Sequence, residues 1–350
     1  MYTENDIILA VDYHDKTITG RWFNCNSGQE RIVKMDTTQQ QICQLIDTAV
    51  SEAAQVGGQV IWIMESTTGW ARVKRLIGSK ASCVVANVLQ MPLPPKAYRR
   101  KTDKIDTGRI LREYLNGSLP YAYQPSLSVR SVRRLVAIRE NLVSRRTALR
   151  NWIGRYLAHE TWEVRTGLWS NIGMRRLKRI TASTREPDKT VLTVKLTELK
   201  QLEGLLEPIE KRIIRICEHW RQAQRLDQIY GIAQISAVSI LARIWPIKRF
   251  ASAEELIAYA GLAPGIRESD QTLRVGHIGG GGTDKHLRHY IIEATIWARQ
   301  IPRYRPTYLR VMRKRGRKIA RLVVARLLLR SIYKMLDCEI GFNQMPKKVG

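Results

Sequence analysis

Ile7-Ile8-Leu9-Ala10-Val11-Asp12 is an apolar run closed by an acid, and the same device returns at Val60-Ile61-Trp62-Ile63-Met64-Glu65. Short unbroken apolar runs rich in β-branched residues read as strands buried on both faces. Each run places a carboxylate where the chain leaves the sheet. Outward from these two, Thr17 to Asn24 and Arg31 to Met35, separated by Asn26-Ser27-Gly28, read as further strands. Thr38 to Ala54 has helical spacing, a helix follows near Trp70 to Ile77, and Cys83 to Asn87 reads as a last strand.

Three strands, helix, strand, helix, strand is the order of a ribonuclease-H-like mixed sheet, in which the first and fourth strands are neighbours. Asp12 and Glu65 are then expected to meet at one edge. A Pro-rich loop, Met91 to Lys96, leads to Lys101-Thr102-Asp103-Lys104-Ile105-Asp106, where two acids three residues apart share a helix face. Side-by-side carboxylates repel, and a divalent cation offsets that charge. Taken singly, a strand-end acid also caps turns and Asp103 and Asp106 also fit a solvated face, so the joint placement carries the reading. Asp12, Glu65, Asp103 and Asp106 form a hard oxygen set suited to Mg2+ or Mn2+, in pairs ~4 Å apart, acting on a phosphodiester. Asp15 and Glu113 are the substitutes. A sugar-kinase-like phosphate hairpin is disfavoured, because Asp12-Tyr13-His14-Asp15 lacks its glycine and hydroxyl residues.

The 350 residues carry 59 Lys plus Arg against 31 Asp plus Glu, a formal charge of +28, which points to a polyanionic partner. Apolar runs such as Leu322 to Ala325 and Leu327 to Leu329 fall short of the ~20 residues that span a bilayer. No leader pattern is visible in Met1 to Asp6, and a cytoplasmic protein without a membrane partner is expected. Cys25, Cys43, Cys83, Cys217 and Cys338 form no CxxC pair, which disfavours a zinc knuckle or a disulfide framework.

Four segments are expected: a sheet domain at 1–120, helical arms at 121–227, a mainly α domain at 228–340 and a tail at 341–350. In the arms, Leu135, Ile138, Leu142, Leu149, Trp152 and Tyr156 fit one heptad seam, interrupted by Arg145. Leu199, Leu202, Leu206, Ile209, Ile213, Ile216 and Trp220 fit another, with Pro208 implying a kink. An intramolecular hairpin and a coiled coil between protomers satisfy the seams equally. Residues 158 to 190 show no clear period and read as a connection. Farther on, Ile229-Tyr230-Gly231-Ile232-Ala233 before the helical run Ala237 to Ile244 looks like half of a helix-hairpin-helix. Ser252-Ala253-Glu254-Glu255 is a capping box for a helix through Ala260. Gly279 to Gly282 lets backbone approach a ligand or is simply flexible, and Thr283 or Asp284 caps a helix to about Gln300. Candidate nucleic-acid contacts are Arg99, Arg100, Lys101, Lys104, Arg133, Arg134, Arg146, Arg150, Arg267, Arg274, Lys285 and Arg288, several of which also fit a solvated face.

Four blocks resemble the DEDD transposases of the bacterial insertion-sequence family of the IS110 type. They are the strand acid Asp12, Lys101 to Asp106 with Thr107, the stretch from Gly231 through Leu287, and the basic tail Arg315-Gly316-Arg317-Lys318 with Ala320 to Leu336. Within the third block, Arg249 to Ser252, Tyr259 to Pro264, Glu268-Ser269 and Leu287-Arg288 carry the likeness. The resemblance implies a RuvC-like amino-terminal domain whose acids Asp12, Glu65, Asp103 and Asp106 bind metal. It further implies that Ser269 is a nucleophile forming a 5′-phosphoserine link to DNA. A structured bridge RNA pairing with donor and target double-stranded DNA is implied too. Ser269 would not stand out otherwise, since a loop serine is usually a turn former. The pattern departs at Asp270, where Gly is usual, and at the glycine run with Thr283-Asp284-Lys285, where Ser-Lys-x-Gly-Asn is common. A homo-oligomer, dimer or tetramer, is compatible with the arms. Two other readings are a RuvC-like nuclease that only cleaves and a non-catalytic nucleic-acid-binding protein.

Overall fold

The computed structural model describes residues 2–66, 69–92, 103–160, 167–263, 266–269, 272–275 and 282–345, with the backbone alone described at 103–105, 266–269 and 272–275. It divides into two compact units, Met1–Gln124 and Pro125–Gly350.

The first unit runs β1 (Ile7–Tyr13), β2 (Thr17–Asn24), β3 (Glu30–Asp36), α1 (Gln39–Gln55), β4 (Val60–Glu65), α2 (Trp70–Ile77), β5 (Ser82–Ala86) and α3 (Asp103–Leu115). Its sheet has the order β3-β2-β1-β4-β5; β1 pairs antiparallel with β2 and parallel with β4, as the strand order predicts. Alternation along the strands splits the core in two. Ile7, Leu9, Val11, Val60, Trp62 and Met64 pack with Ile42, Ile46, Val73 and Ile77 of α1 and α2. Ile8, Ala10, Ile61 and Ile63 face the other way and pack with Ile110, Leu111 and Tyr114 of α3. Both faces are covered, which is why β1 and β4 read as continuous apolar runs rather than alternating ones.

The second unit is mainly helical: α4 (Leu127–Glu160), α5 (Asn171–Ser183), α6 (Asp188–His219), α7 (Arg221–Asp227), α8 (Gln234–Ile244), α9 (Ala253–Tyr259), the hairpin β6 (Ile266–Ser269) and β7 (Thr272–Val275), α10 (Lys285–Ala298) and α11 (Arg305–Asp337). Helices α4 and α6 pack on each other within the chain. The pairs Arg139–Glu210 and Arg150–Glu203 make them antiparallel.

Two expectations need correction. Ile138 is 55% exposed and lies off the seam, which instead runs through Leu142, Leu149, Ile153 and Leu157 against Leu199, Leu202 and Leu206. Leu142 and Leu149 keep the expected phase, while beyond them the buried positions are Ile153 and Leu157, with Trp152 and Tyr156 partly buried against the same cluster. The connection at 158–190 contains α5, whose Ser170 cap accepts the Gly173 N–H at 3.1 Å and whose Leu177 is buried. Its apolar stripe is only 13 residues long and interleaved with basic residues, so the period is weak in sequence. Helix α6 runs on through Pro208 as one element, whereas α11 contains a non-helical break at Gly316. No helix among the described residues is long and apolar enough to cross a membrane.

Candidate active site and nucleic-acid contacts

Parallel pairing sets the first two acids side by side. The β1–β4 register ends at Val11↔Met64, so Asp12 and Glu65 are the next residue on each of two adjacent strands. Odd-numbered β1 residues and even-numbered β4 residues face α1 and α2, which turns both carboxylates to the α3 side. Asp12 is nearly buried at 8% exposure and lies 3.3 Å, Oδ2 to Nε2, from His14. His14 escaped the sequence reading because a surface imidazole after a strand carries no signal of its own.

Helix α3 packs across the same sheet face through Ile110, Leu111 and Tyr114. Asp106 stands one turn before Ile110, and Asp103 one further turn back along that row, so helical spacing aligns them with the helix side that meets the sheet. Asp106 is partly buried beside the fully buried Thr107, while the side chain of Asp103 lies outside the described residues. Among the described residues no three His, Cys, Asp or Glu side chains gather as a metal group. The donor chemistry nonetheless suits a hard divalent cation, because every candidate ligand is a carboxylate; Asp12 and Glu65 turn to one sheet face, and Asp106 lies on the helix that covers it. Asp15 is exposed in the β1–β2 turn, and Glu113 accepts the Ser118 hydroxyl at 2.6 Å, about two turns beyond Asp106.

Asp6 shows what a purely structural buried acid looks like here. Burial alone would raise its pKa, but the Thr3 and Gln59 N–H groups, donating at 2.7 and 2.8 Å, outweigh that and hold it below the usual value. It ties the entrance of β1 to that of β4.

In the second unit, the hairpin register sets Ser269 opposite Thr272, so Ser269 is the last residue of β6 rather than part of an open loop. Its side chain, Asp270 and the run Gly279 to Gly281 lie outside the described residues. After that run, Asp284 caps α10 as expected, its Oδ1 accepting the N–H groups of His286 and Leu287 at 3.0 and 2.9 Å. Oδ2 receives the Tyr259 hydroxyl at 3.3 Å and faces Arg243 at 3.5 Å. Arg243 continues to Glu140 at 3.3 Å, and Glu140 meets His286 at 2.8 Å. Four separate elements are thereby joined around the base of α10. Gly261, at φ +67, completes the packing: a Cβ there would lie 2.5 Å from an Arg288 nitrogen and 2.8 Å from the Thr283 hydroxyl.

The structure sorts the candidate basic residues. Arg133 donates to the carbonyls of Ala242 and Arg243, and Arg150 pairs with Glu203 at 2.6 Å while lying over Trp169 at 5.0 Å. Those guanidiniums hold the fold together. Arg134 and Lys285 are exposed, Arg146 is partly buried, and Arg288 reaches the Gly261 carbonyl at 3.5 Å. Arg267 and Arg274 face each other across the hairpin by backbone register. The side chain of Lys104 and all of Arg99, Arg100 and Lys101 lie outside the described residues. The glycine turn at 231 does join α7 to α8, with Ser236 accepting the Ala233 N–H at 2.9 Å.

A family model described as Transposase, for DEDD transposases of the IS110 type, matches residues 11–159. A second, described as Transposase IS116/IS110/IS902 family, matches residues 223–310. A Sinorhizobium fredii protein with a transposase designation is 22% identical over 286 residues, 79% of this chain and 71% of that one. A Pseudomonas aeruginosa protein designated a family 20 transposase is 27% identical, over 64% of this chain and 65% of its own length. The transposase for insertion sequence element IS1111A of Coxiella burnetii is 28% identical over 49% of this chain and 47% of its own.

Proposed function

This chain belongs to the DEDD transposases of the IS110 type, and from that premise we propose that it cuts and rejoins donor and target DNA as an RNA-guided recombinase. In this reading Asp12, Glu65, Asp103 and Asp106 hold the metal and Ser269 is the nucleophile. One observation supports it above the others: Asp12 and Glu65 follow the last β1–β4 pair on the face that carries α3 and its Asp106 row. Carboxylates turned to one face carry charge that a divalent cation would offset.

Mg2+ or Mn2+ in such a set supplies charge compensation at a phosphodiester and at the oxygen that leaves it. The chain supplies the rest. Strand ends and a packed helix fix the carboxylates before DNA arrives, and His14 holds one oxygen of Asp12. At Ser269 the Oγ–P bond forms as the P–O3′ bond breaks. The hydroxyl proton departs with the freed 3′ oxygen, and the 5′ phosphate stays on serine. Attack by another 3′ hydroxyl reverses the step and seals a new junction, so bond energy is conserved. A formal charge of +28 supports simultaneous engagement of a structured guide RNA and two duplexes. The antiparallel arms are compatible with a dimer or tetramer.

The test is a denaturing gel of wild-type protein with end-labelled DNA, guide RNA and Mg2+. A protein-linked band is expected, removed by protease and missing from Ser269→Ala. Cleavage without the band would replace this reading by a water-activated, RuvC-like nuclease; neither cleavage nor joining would leave a nucleic-acid-binding protein.

A further inference from the structure

Helix α11 divides its cations into two groups. Arg321 donates to the Ile292 carbonyl at 2.8 Å and the Thr295 hydroxyl at 3.0 Å, Arg326 to the Leu262 carbonyl at 2.8 Å, and Arg330 to Glu254 at 2.8 Å. These side chains fasten α11 to its neighbours. Arg313, Lys314, Arg315, Arg317 and Lys318 are all exposed, and no hydrogen bond or ion pair joins them to another described residue.

A solvated helix face elsewhere in this chain looks different. Exposed α6 alternates its signs, with Lys195–Glu198 at 3.2 Å and Lys211–Glu207 at 2.6 Å. In α11 there is no carboxylate before Asp337. The five cations crowd around Gly316, whose φ of 81° and ψ of 169° break the helical path. That break resets the helical phase between Arg315 and Arg317, so the cations need not fan around the axis at regular 100° steps. Positive side chains thus gather at one exposed elbow.

We infer that the Gly316 elbow is a duplex-DNA backbone clamp, with Arg313, Lys314, Arg315, Arg317 and Lys318 on successive phosphates. The charge complements a polyphosphate. The lack of usable aromatics argues for duplex over single strand, since Tyr308 is buried, Tyr333 is half-buried and no other aromatic lies between them to stack on splayed bases. DNA rather than RNA follows from the family's substrate, and to that extent the inference rests on the reading above. Contacts of this kind position the protein and carry no sequence preference.

The test replaces all five residues by Gln in the full chain and measures affinity for a random-sequence DNA duplex, an equal RNA duplex and single strands across salt. A control replaces Lys178, Lys189, Lys200, Arg212 and Arg215, exposed on α5 and α6, and so removes the same charge elsewhere. The elbow variant should lower the log–log salt slope for the DNA duplex by about 4–5 units and weaken binding by about 100-fold or more near physiological salt, at roughly 0.9 unit per phosphate. Circular dichroism and melting temperature should match wild type, because no intramolecular contact is lost. The control should keep its slope within about 1 unit. An unchanged slope, an equal loss in the control, or a loss confined to RNA overturns the clamp. If the serine adduct is absent but the elbow variant still loses slope, the recombinase reading fails and the clamp stands. If the adduct forms while the slope holds, the reverse is true.

Discussion

The two units use charge in opposite ways. In the first, like charges share a side: Asp12 and Glu65 turn to one sheet face, and Asp106 lies on the helix that covers it. In the second, Glu140, Asp284, Arg243 and His286 are interleaved by sign, each meeting its opposite within 3.5 Å. Like charges gathered together mark work done on something else, whereas alternating charges mark work done on the fold. The Gly316 elbow belongs with the first kind although it sits in the second unit.

The sharpest way to break this contrast is neutralisation in the first unit. Asp106→Asn and Glu65→Gln should each lower strand cleavage about 1,000-fold or more, equivalent to several kcal/mol of lost transition-state stabilisation. Their melting temperatures should stay near wild type if these carboxylates serve a ligand rather than the fold. A variant that cleaves at wild-type rate is no ligand, and one that unfolds places its carboxylate among the structural acids with Asp6.

Next comes Glu140→Ala, where the contrast predicts the reverse. Glu140 and Arg243 are each only 17% exposed, so removing the acid leaves a largely desolvated guanidinium with Asp284 alone, at 3.5 Å, at a cost of about 2–3 kcal/mol. A melting-temperature drop of roughly 5–10 °C is expected for a unit of this size, with cleavage per folded molecule unchanged. Loss of cleavage at full stability would move this network into the catalytic apparatus.

A smaller effect tests whether neutral polar contacts follow the same rule. Tyr304 is fully buried and donates to Ser331 at 2.6 Å; burial outweighs that hydrogen bond and the Arg303 charge and pushes its phenol up to about 12. Tyr304→Phe should cost about 1–2 kcal/mol by chemical denaturation, since the Ser331 oxygen is left without its partner. No loss would mean that packing alone holds that core.

The least effect is chemical. Burial pushes the Cys25 and Cys217 thiols up to about 11, so they stay neutral at pH 8 and only about one in a thousand is thiolate. Exposed Cys338 should therefore react first with iodoacetamide, with cleavage retained. Faster labelling of Cys217, read by peptide mass spectrometry, would mean that the α6 end of the core opens readily.

How much of this was legible in sequence depends on the range of the interaction. The strands, their order and the acids at their ends were readable, because buried apolar runs and turn residues are local signals. The caps at Ser252 and Asp284 were readable for the same reason. Ile138 was misplaced because one long helix satisfies two heptad phases, and only the partner helix decides between them. Arg133 and Arg134 are chemically alike and adjacent, yet one is spent on the carbonyls of α8 and the other faces solvent. The Glu140 network was invisible, since nothing in a lone Glu announces a partner far along the chain. Ser269 became a candidate through resemblance alone.

The antiparallel α4–α6 pair has one further consequence. Its root is fastened near Arg133, Val136 and Glu140, while its far end, beyond Leu149, packs among the described residues with α5 and the Leu168 turn. Mechanically it is a cantilever: the 20 or so residues beyond the root span ~30 Å, and a pivot of ~10° sweeps the tip ~5 Å. That is more than the ~3.4 Å rise between base pairs. A ligand gripping the tip would be displaced by more than one nucleotide step by a pivot of that size.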